Sequence, residues 1–211
     1  VGAFGYFPSV RAALLFAFAA LTALASADRV ITIPTGRKIP FKAVRAELWY
    51  QPTKDGTTEY YFGTGLTDLF EIEVRTQRLP QRDVNTAVDL SYNIIGPIPD
   101  LTPGISIGVQ DVANATVDGR RPYAALTLRQ TLSALDGDAN GDVTFGVYAG
   151  ERGGAFIGMS LPITSRIRLL GEHNRFRASG GIEYLPQKGL ALRYFARGAQ
   201  PFVSISLTRR F

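Results

Sequence analysis

From about residue 44 to the last residue, apolar and polar side chains alternate one for one in segment after segment. A period of two marks β-strands whose two faces meet different surroundings, because successive side chains leave a pleated backbone on opposite sides. Val44, Ala46, Leu48 and Tyr50 fall on one side, with Arg45, Glu47, Trp49 and Gln51 on the other. Phe70, Ile72, Val74 and Thr76 interleave with Glu71, Glu73, Arg75 and Gln77 in the cleanest example. The pattern returns near residues 60–64, 88–94, 105–109, 124–129, 143–148, 157–161, 167–172, 182–184, 190–197 and 203–207. It predicts an all-β chain of about twelve strands, within a range of about ten to fourteen, each close to the length of a tilted membrane-spanning strand. No segment after residue 27 carries a helical period. The prolines from Pro34 to Pro201 fall in or beside the connectors, as residues without an amide donor must.

Alternation alone does not say which face meets water, since a soluble barrel has the same period. Three features point to a closed antiparallel up-and-down transmembrane β-barrel. The polar face mixes mid-strand charges with Ser, Gly and Thr, as in a wet interior, and the whole chain has only four lysines against nineteen arginines. Soluble sheets use many more surface lysines against edge pairing. Aromatic residues (Trp49, Tyr50, Tyr60, Tyr61, Phe70, Tyr92, Tyr123, Tyr184, Tyr194 and Phe202) gather near strand ends and are expected to form interfacial girdles. The chain closes on an alternating strand ending at Phe211, the kind of terminus that barrel-assembly machinery reads. Arg209 departs from the pattern and must either snorkel to an interface or mark a register change.

Before the alternating part, Arg11 precedes an apolar run that ends in Ala25-Ser26-Ala27 and then Asp28-Arg29. The run is too short to span a membrane and has the small-residue site of a secretory signal peptide. Residues 1–27 are therefore expected to be an export signal and 28–211 the barrel, placed in the outer membrane and in contact with its lipid. Without cysteine and with a single histidine, the chain has no means of building disulfides, thiolate zinc sites or haem attachments. Its formal charge of +5 comes with no nucleic-acid module, so no nucleic-acid partner is expected.

Several stretches, "IPTGRKIP" ahead of the first strand, "GTGLTDLFEIEV", "GISIGVQDV", "GMSLPITSRIRLLGEHNRF" and "GGIEYLPQKGLALRYF", span most of the exported part. Together they resemble the YjbH-like family of bacterial outer-membrane β-barrels, associated with exopolysaccharide production. The resemblance implies a non-enzymatic role in the cell envelope, with polysaccharide secretion components as partners. It supplies no catalytic residues.

Four groups of residues are candidates for chemistry. Arg45, Glu47, Glu71, Glu73, Arg75, Asp89, Arg129, Arg168, Glu172, Glu183, Arg193 and Arg197 share the lumen parity, six of each sign, and are expected to pair across and narrow a pore. Arg78, Arg82, Arg120, Arg121, Arg152, Arg175 and Arg177 lie near the expected outer rim, where guanidinium groups suit lipid phosphates. Asp136, Asp138, Asn140 and Asp142 have the spacing of the first half of a calcium loop, but Val147 stands where the bidentate glutamate belongs, so a tight turn competes with weak calcium binding. His173 would need a serine in reach to act as a hydrolase base, and no serine stands two residues from it. Asn114-Ala115-Thr116 reads as loop. Alternatives to the envelope role are a narrow porin-like channel for small solutes and a soluble periplasmic ligand-binding barrel.

Overall fold

A strand in hydrocarbon has no water to satisfy its backbone, so a spanning sheet must pair both edges of every strand. The computed structural model, which describes residues 29–53, 56–78 and 84–211, meets that demand by closure. Six strands form the first half: β1 (Ala43–Tyr50), β2 (Thr58–Gly65), β3 (Phe70–Arg78), β4 (Val84–Ile95), β5 (Gly104–Gln110) and β6 (Arg121–Ala134). The second half is β7 (Gly137–Tyr148), β8 (Gly154–Pro162), β9 (Ile167–His173), β10 (Ala178–Gln187), β11 (Leu190–Arg197) and β12 (Gln200–Arg210). Each strand pairs antiparallel with the next, and β12 returns to β1 through eight register pairs from Ala43–Arg210 to Tyr50–Val203. The result is the closed twelve-strand transmembrane barrel that the alternation predicts. The proposed export signal, residues 1–27, lies outside the described residues.

The even count puts both ends of the wall, Ala43 and Arg210, at one end of the barrel, here the terminal end, together with the β2–β3, β4–β5, β6–β7, β8–β9 and β10–β11 turns. The other connectors form the far end. At the β10–β11 turn Gly189 has φ +84°, and at the β11–β12 turn Gly198 has φ +62°. Both tight turns demand the left-handed region that glycine enters without a Cβ penalty.

Outside, the wall exposes Phe62, Leu90, Ile107, Phe145, Ile157, Ile182 and Ile205 as an apolar belt. Inside lie the polar residues of the opposite parity. Tyr50, Tyr60, Phe70, Tyr92, Tyr184 and Tyr194 are on the outer face, as a girdle requires. Trp49, Tyr61, Tyr123 and Phe202 are not; they are buried inside. Adjacent pairs such as Trp49-Tyr50 and Tyr60-Tyr61 cannot share a face of one strand, so a single girdle could never take both members. Arg209 marks no register change. It faces outward opposite Val44 at the terminal edge, 5.4 Å from the Phe211 ring centroid.

The interior is not a water-filled tube. Residues 29–42 stay out of the wall, enter from the terminal end beside a parallel bridge of Phe41 to Gly65, and climb through the lumen. A turn closed by the Val30 amide on the Ile33 carbonyl, at 3.2 Å, folds the segment back beneath the far end. Ile31, Ile33 and Ile39 are fully buried, each adding about 2 kcal/mol of hydrophobic burial. The fit is tight. A Cβ placed on Gly36 would lie 2.5 Å from the Gly104 carbonyl, so plug and wall meet backbone to backbone.

Candidate functional site

The lumen charges expected from parity all project inward, and the plug decides how they pair. Arg29 lies among Glu47 and Glu73, bonding Glu47 at 2.6 Å and also Glu73. Its guanidinium sits 3.9 Å from the centroid of the Tyr61 ring. Glu73 further accepts from Arg45, and Glu47 from Arg193 at 3.3 Å and the Trp49 indole at 2.6 Å. Lower in the barrel, Arg37 bonds Asp142 at 2.9 Å, the same carboxylate that takes Arg129 at 2.8 Å. Arg168 stands 3.9 Å from Asp142 and donates to the Asn140 carbonyl at 2.6 Å.

Backbone amides of the plug are capped as carefully as its side chains. One oxygen of Glu172 accepts from Ile31, Thr32 and Ile33 at 2.9, 2.8 and 3.2 Å, while the other takes the Thr32 hydroxyl at 2.5 Å. Glu71 accepts the Ile39 amide at 2.5 Å, and the Thr127 hydroxyl accepts Gly36 at 2.7 Å. Such charge-assisted bonds are stronger than neutral ones, and removing any partner strands a buried group. The lumen charges do form ion pairs, but around a plug and not across an open pore. Wall residues pair within the lumen between strands up to three apart, as in Arg193–Glu183 and Arg197–Glu59, both at 2.8 Å, and the centre is bridged by arginines of the plug.

An aromatic layer completes the closure towards the far end. Trp49 packs on Tyr61, Phe195 and Phe202 with centroid distances of 4.7, 4.8 and 6.3 Å. Tyr148 packs on Phe156 at 4.7 Å and Tyr123 at 6.5 Å. Val30, Ile31 and Ile33 belong to the same buried cluster as both groups.

The calcium reading fails on geometry. Asp138, Asn140 and Asp142 lie in β7, not in a loop, and alternate residues of a strand are roughly 6.6 Å apart, too far to wrap one ion. Asp142 serves as the acceptor for Arg37 and Arg129, Asp138 meets Ser133 at 3.4 Å, and Asp136 takes the Ser165 amide and hydroxyl at 2.6 and 2.7 Å. No group of three or more carboxylates or histidines among the described residues is arranged to hold a metal. His173 ends β9 on the exposed face between Ile157 and Ala178, with no serine at either register position. Asn114 caps its own loop by accepting the Arg120 amide at 2.8 Å.

The rim arginines lie at the far end, apart from Arg82, which falls outside the described residues. Arg78 ends β3 exposed. Arg120 binds the Val112 carbonyl of its own loop at 2.8 Å, while Arg152 on the Val117 carbonyl and Arg175 on the Gly153 carbonyl tie neighbouring loops together. Arg121 stands at the far mouth but turns inward, away from the lipid side, buried and 5.0 Å from the Tyr148 centroid. Arg177 lines the far mouth. Parity reasoning missed Glu59, which bonds Arg197 at 2.8 Å and the Tyr61 hydroxyl at 2.6 Å, although it shares the parity of Tyr61 and was open to the same argument. Arg29, Arg37 and Thr32 had no comparable signal, because the plug does not alternate.

No family model matches the chain, and no curated protein matches it. Among solved structures it is similar to one described as a KdgM porin, at 11% identity and a TM-score of 0.51, over 80% of this chain and 99% of that one. The N-terminal β-barrel domain of OprF from Pseudomonas aeruginosa aligns over 80% of this chain and 98% of that one, at 14% identity and a TM-score of 0.27. The first likeness bears on the fold alone, that of a closed β-barrel.

Proposed function

We propose that this chain is a non-enzymatic, porin-like barrel of the outer membrane, closed at rest by its own N-terminal segment. One observation carries the reading: residues 29–42 fill the lumen and are held there by Arg29 on Glu47 and Glu73 and by Arg37 on Asp142. A diffusion pore has no use for so many buried charge-assisted bonds in its path. Passage of a solute then requires the plug to move, and the far end, with its arginines, faces the exterior. The family resemblance extends the proposal to exopolysaccharide handling in the envelope, alongside secretion components. The apolar belt suits outer-membrane lipid.

Single-channel recording in planar bilayers tests closure. The intact chain is expected to stay silent, while a variant lacking residues 29–42 conducts; steady openings from the intact chain favour an ordinary narrow porin instead. Deletion of the gene in its host, with exopolysaccharide release as readout, tests the envelope role.

A further inference from the structure

The geometry points to a binding site for a phosphorylated sugar or a similar compact organic anion in the far mouth of the barrel. A cavity of about 290 Å³ opens there above the tip of the plug, at the lower end of the size range of small-ligand pockets. Its walls carry five guanidinium groups, of Arg75, Arg121, Arg152, Arg177 and Arg197, against one carboxylate, the exposed Asp118, among the described residues.

Loop chemistry does not account for this excess. Arg152 ties two loops, Arg197 is held from below by Glu59 and Arg121 lies 3.8 Å from Asp118, but Arg75 Nε and Nη2, Arg121 Nε and Arg197 Nε are buried without a hydrogen-bond partner among the described residues. Buried donors left unmet cost about 1–3 kcal/mol each, and more for charged groups, so the far mouth holds guanidinium groups in excess of the acceptors that the chain supplies there. Phosphate and carboxylate match the planar guanidinium fork.

Position separates this site from the lipid. Arg75, Arg121 and Arg197 carry the lumen parity and project inside the wall, whereas lipid headgroups pack outside it. The floor includes Thr32 at the plug tip, whose hydroxyl donates to Glu172 and lies 3.4 Å from the Asn174 amide. A bound anion therefore rests on the segment that closes the lumen. The site itself does not require the lumen to open, so its test is independent of the conductance experiment.

Isothermal titration calorimetry of the refolded full chain in zwitterionic detergent provides that test. Glucose 6-phosphate is expected to bind with an affinity that falls as salt is raised, inorganic phosphate to bind more weakly, and glucose to give no heat. Arg75→Gln or Arg121→Gln should weaken glucose 6-phosphate binding by about tenfold or more, the loss of one charge-assisted bond. Because both residues are in the wall, Arg152→Gln and Arg177→Gln in far-end loops serve as a second pair, with heat-modifiable gel migration reporting the folded barrel. The site is refuted if glucose binds as well as glucose 6-phosphate, if no heat appears, or if all four folded variants keep the original affinity. Association only with phosphatidylglycerol vesicles, and not with free glucose 6-phosphate, would equally refute it and assign the arginines to lipid.

Discussion

Arg29 donates to Glu47 at 2.6 Å while stacked on the Tyr61 ring, so a residue ahead of the first strand is fastened to the wall of the finished barrel. The pair is almost wholly withdrawn from solvent, with side-chain exposures of 7% and 1%. An ion pair so placed is worth little against a well-packed apolar substitute, but breaking it on one side strands a charge.

Arg29→Met is therefore expected to destabilise the plugged state by about 3 kcal/mol, the lower range for breaking a buried pair, and to leave the twelve-strand wall intact. Trypsin reads the outcome. Arg37 and Lys38 should resist cleavage in the refolded parent and become susceptible in the variant, while heat-modifiable migration of the wall persists. Equal resistance in both would mean that the plug is held by its apolar and backbone contacts alone.

Trp49 is the sole tryptophan of the chain and is fully buried in the lumen. Its emission should be blue-shifted and poorly quenched by acrylamide. Trp49→Ala removes the centre of the Tyr61, Phe195 and Phe202 cluster, and a loss of about 3–5 kcal/mol is expected from such a cavity. Urea unfolding in lipid vesicles, followed by circular dichroism, measures it.

Val74 lies on the outer face opposite Val88 and Phe62. Val74→Arg should destabilise the barrel by about 2–4 kcal/mol in a bilayer if the position is near the midplane. The same substitution should cost far less in detergent micelles, where the head group reaches water easily. Equal cost in both media would contradict a lipid-facing belt.

Asp111, in the far-end loop before β6, accepts the Ala115 amide at 2.8 Å and the Thr116 amide and hydroxyl at 2.7 and 2.6 Å. Burial pushes its carboxyl up, but the Thr116 hydroxyl and the two amides outweigh that and hold it below the usual aspartate range. A lowered folded value means the stabilisation is complete above the unfolded value of about 3.9 and is lost as pH falls through the folded one. Hydrogen-exchange protection at Ala115 and Thr116 should thus collapse only in acid below about pH 4, and Asp111→Asn, which keeps tolerance of the positive φ, should abolish the pH dependence.

The strand count, the closed wall and the inward charges were legible in the sequence because a pleated strand has a strict period of two: Glu71, Glu73 and Arg75 could be assigned to one face without knowing what they touch. The same rule, applied residue by residue, separates Trp49 from Tyr50, yet a list of aromatics near strand ends merges them. Periodicity is silent on a segment that does not alternate, and "IPTGRKIP" carries no local mark of where it will be buried. Only the closed barrel brings Glu47, Glu73, Glu172 and Asp142 from four separate strands around residues 29–37, because these pairings span up to 141 residues of chain and depend on the width of the lumen they fill. Likewise Asp142 looked like part of a metal loop until extension of β7 turned it toward Arg37 and Arg129, since spacing fixes which face a residue takes but not which partner waits there.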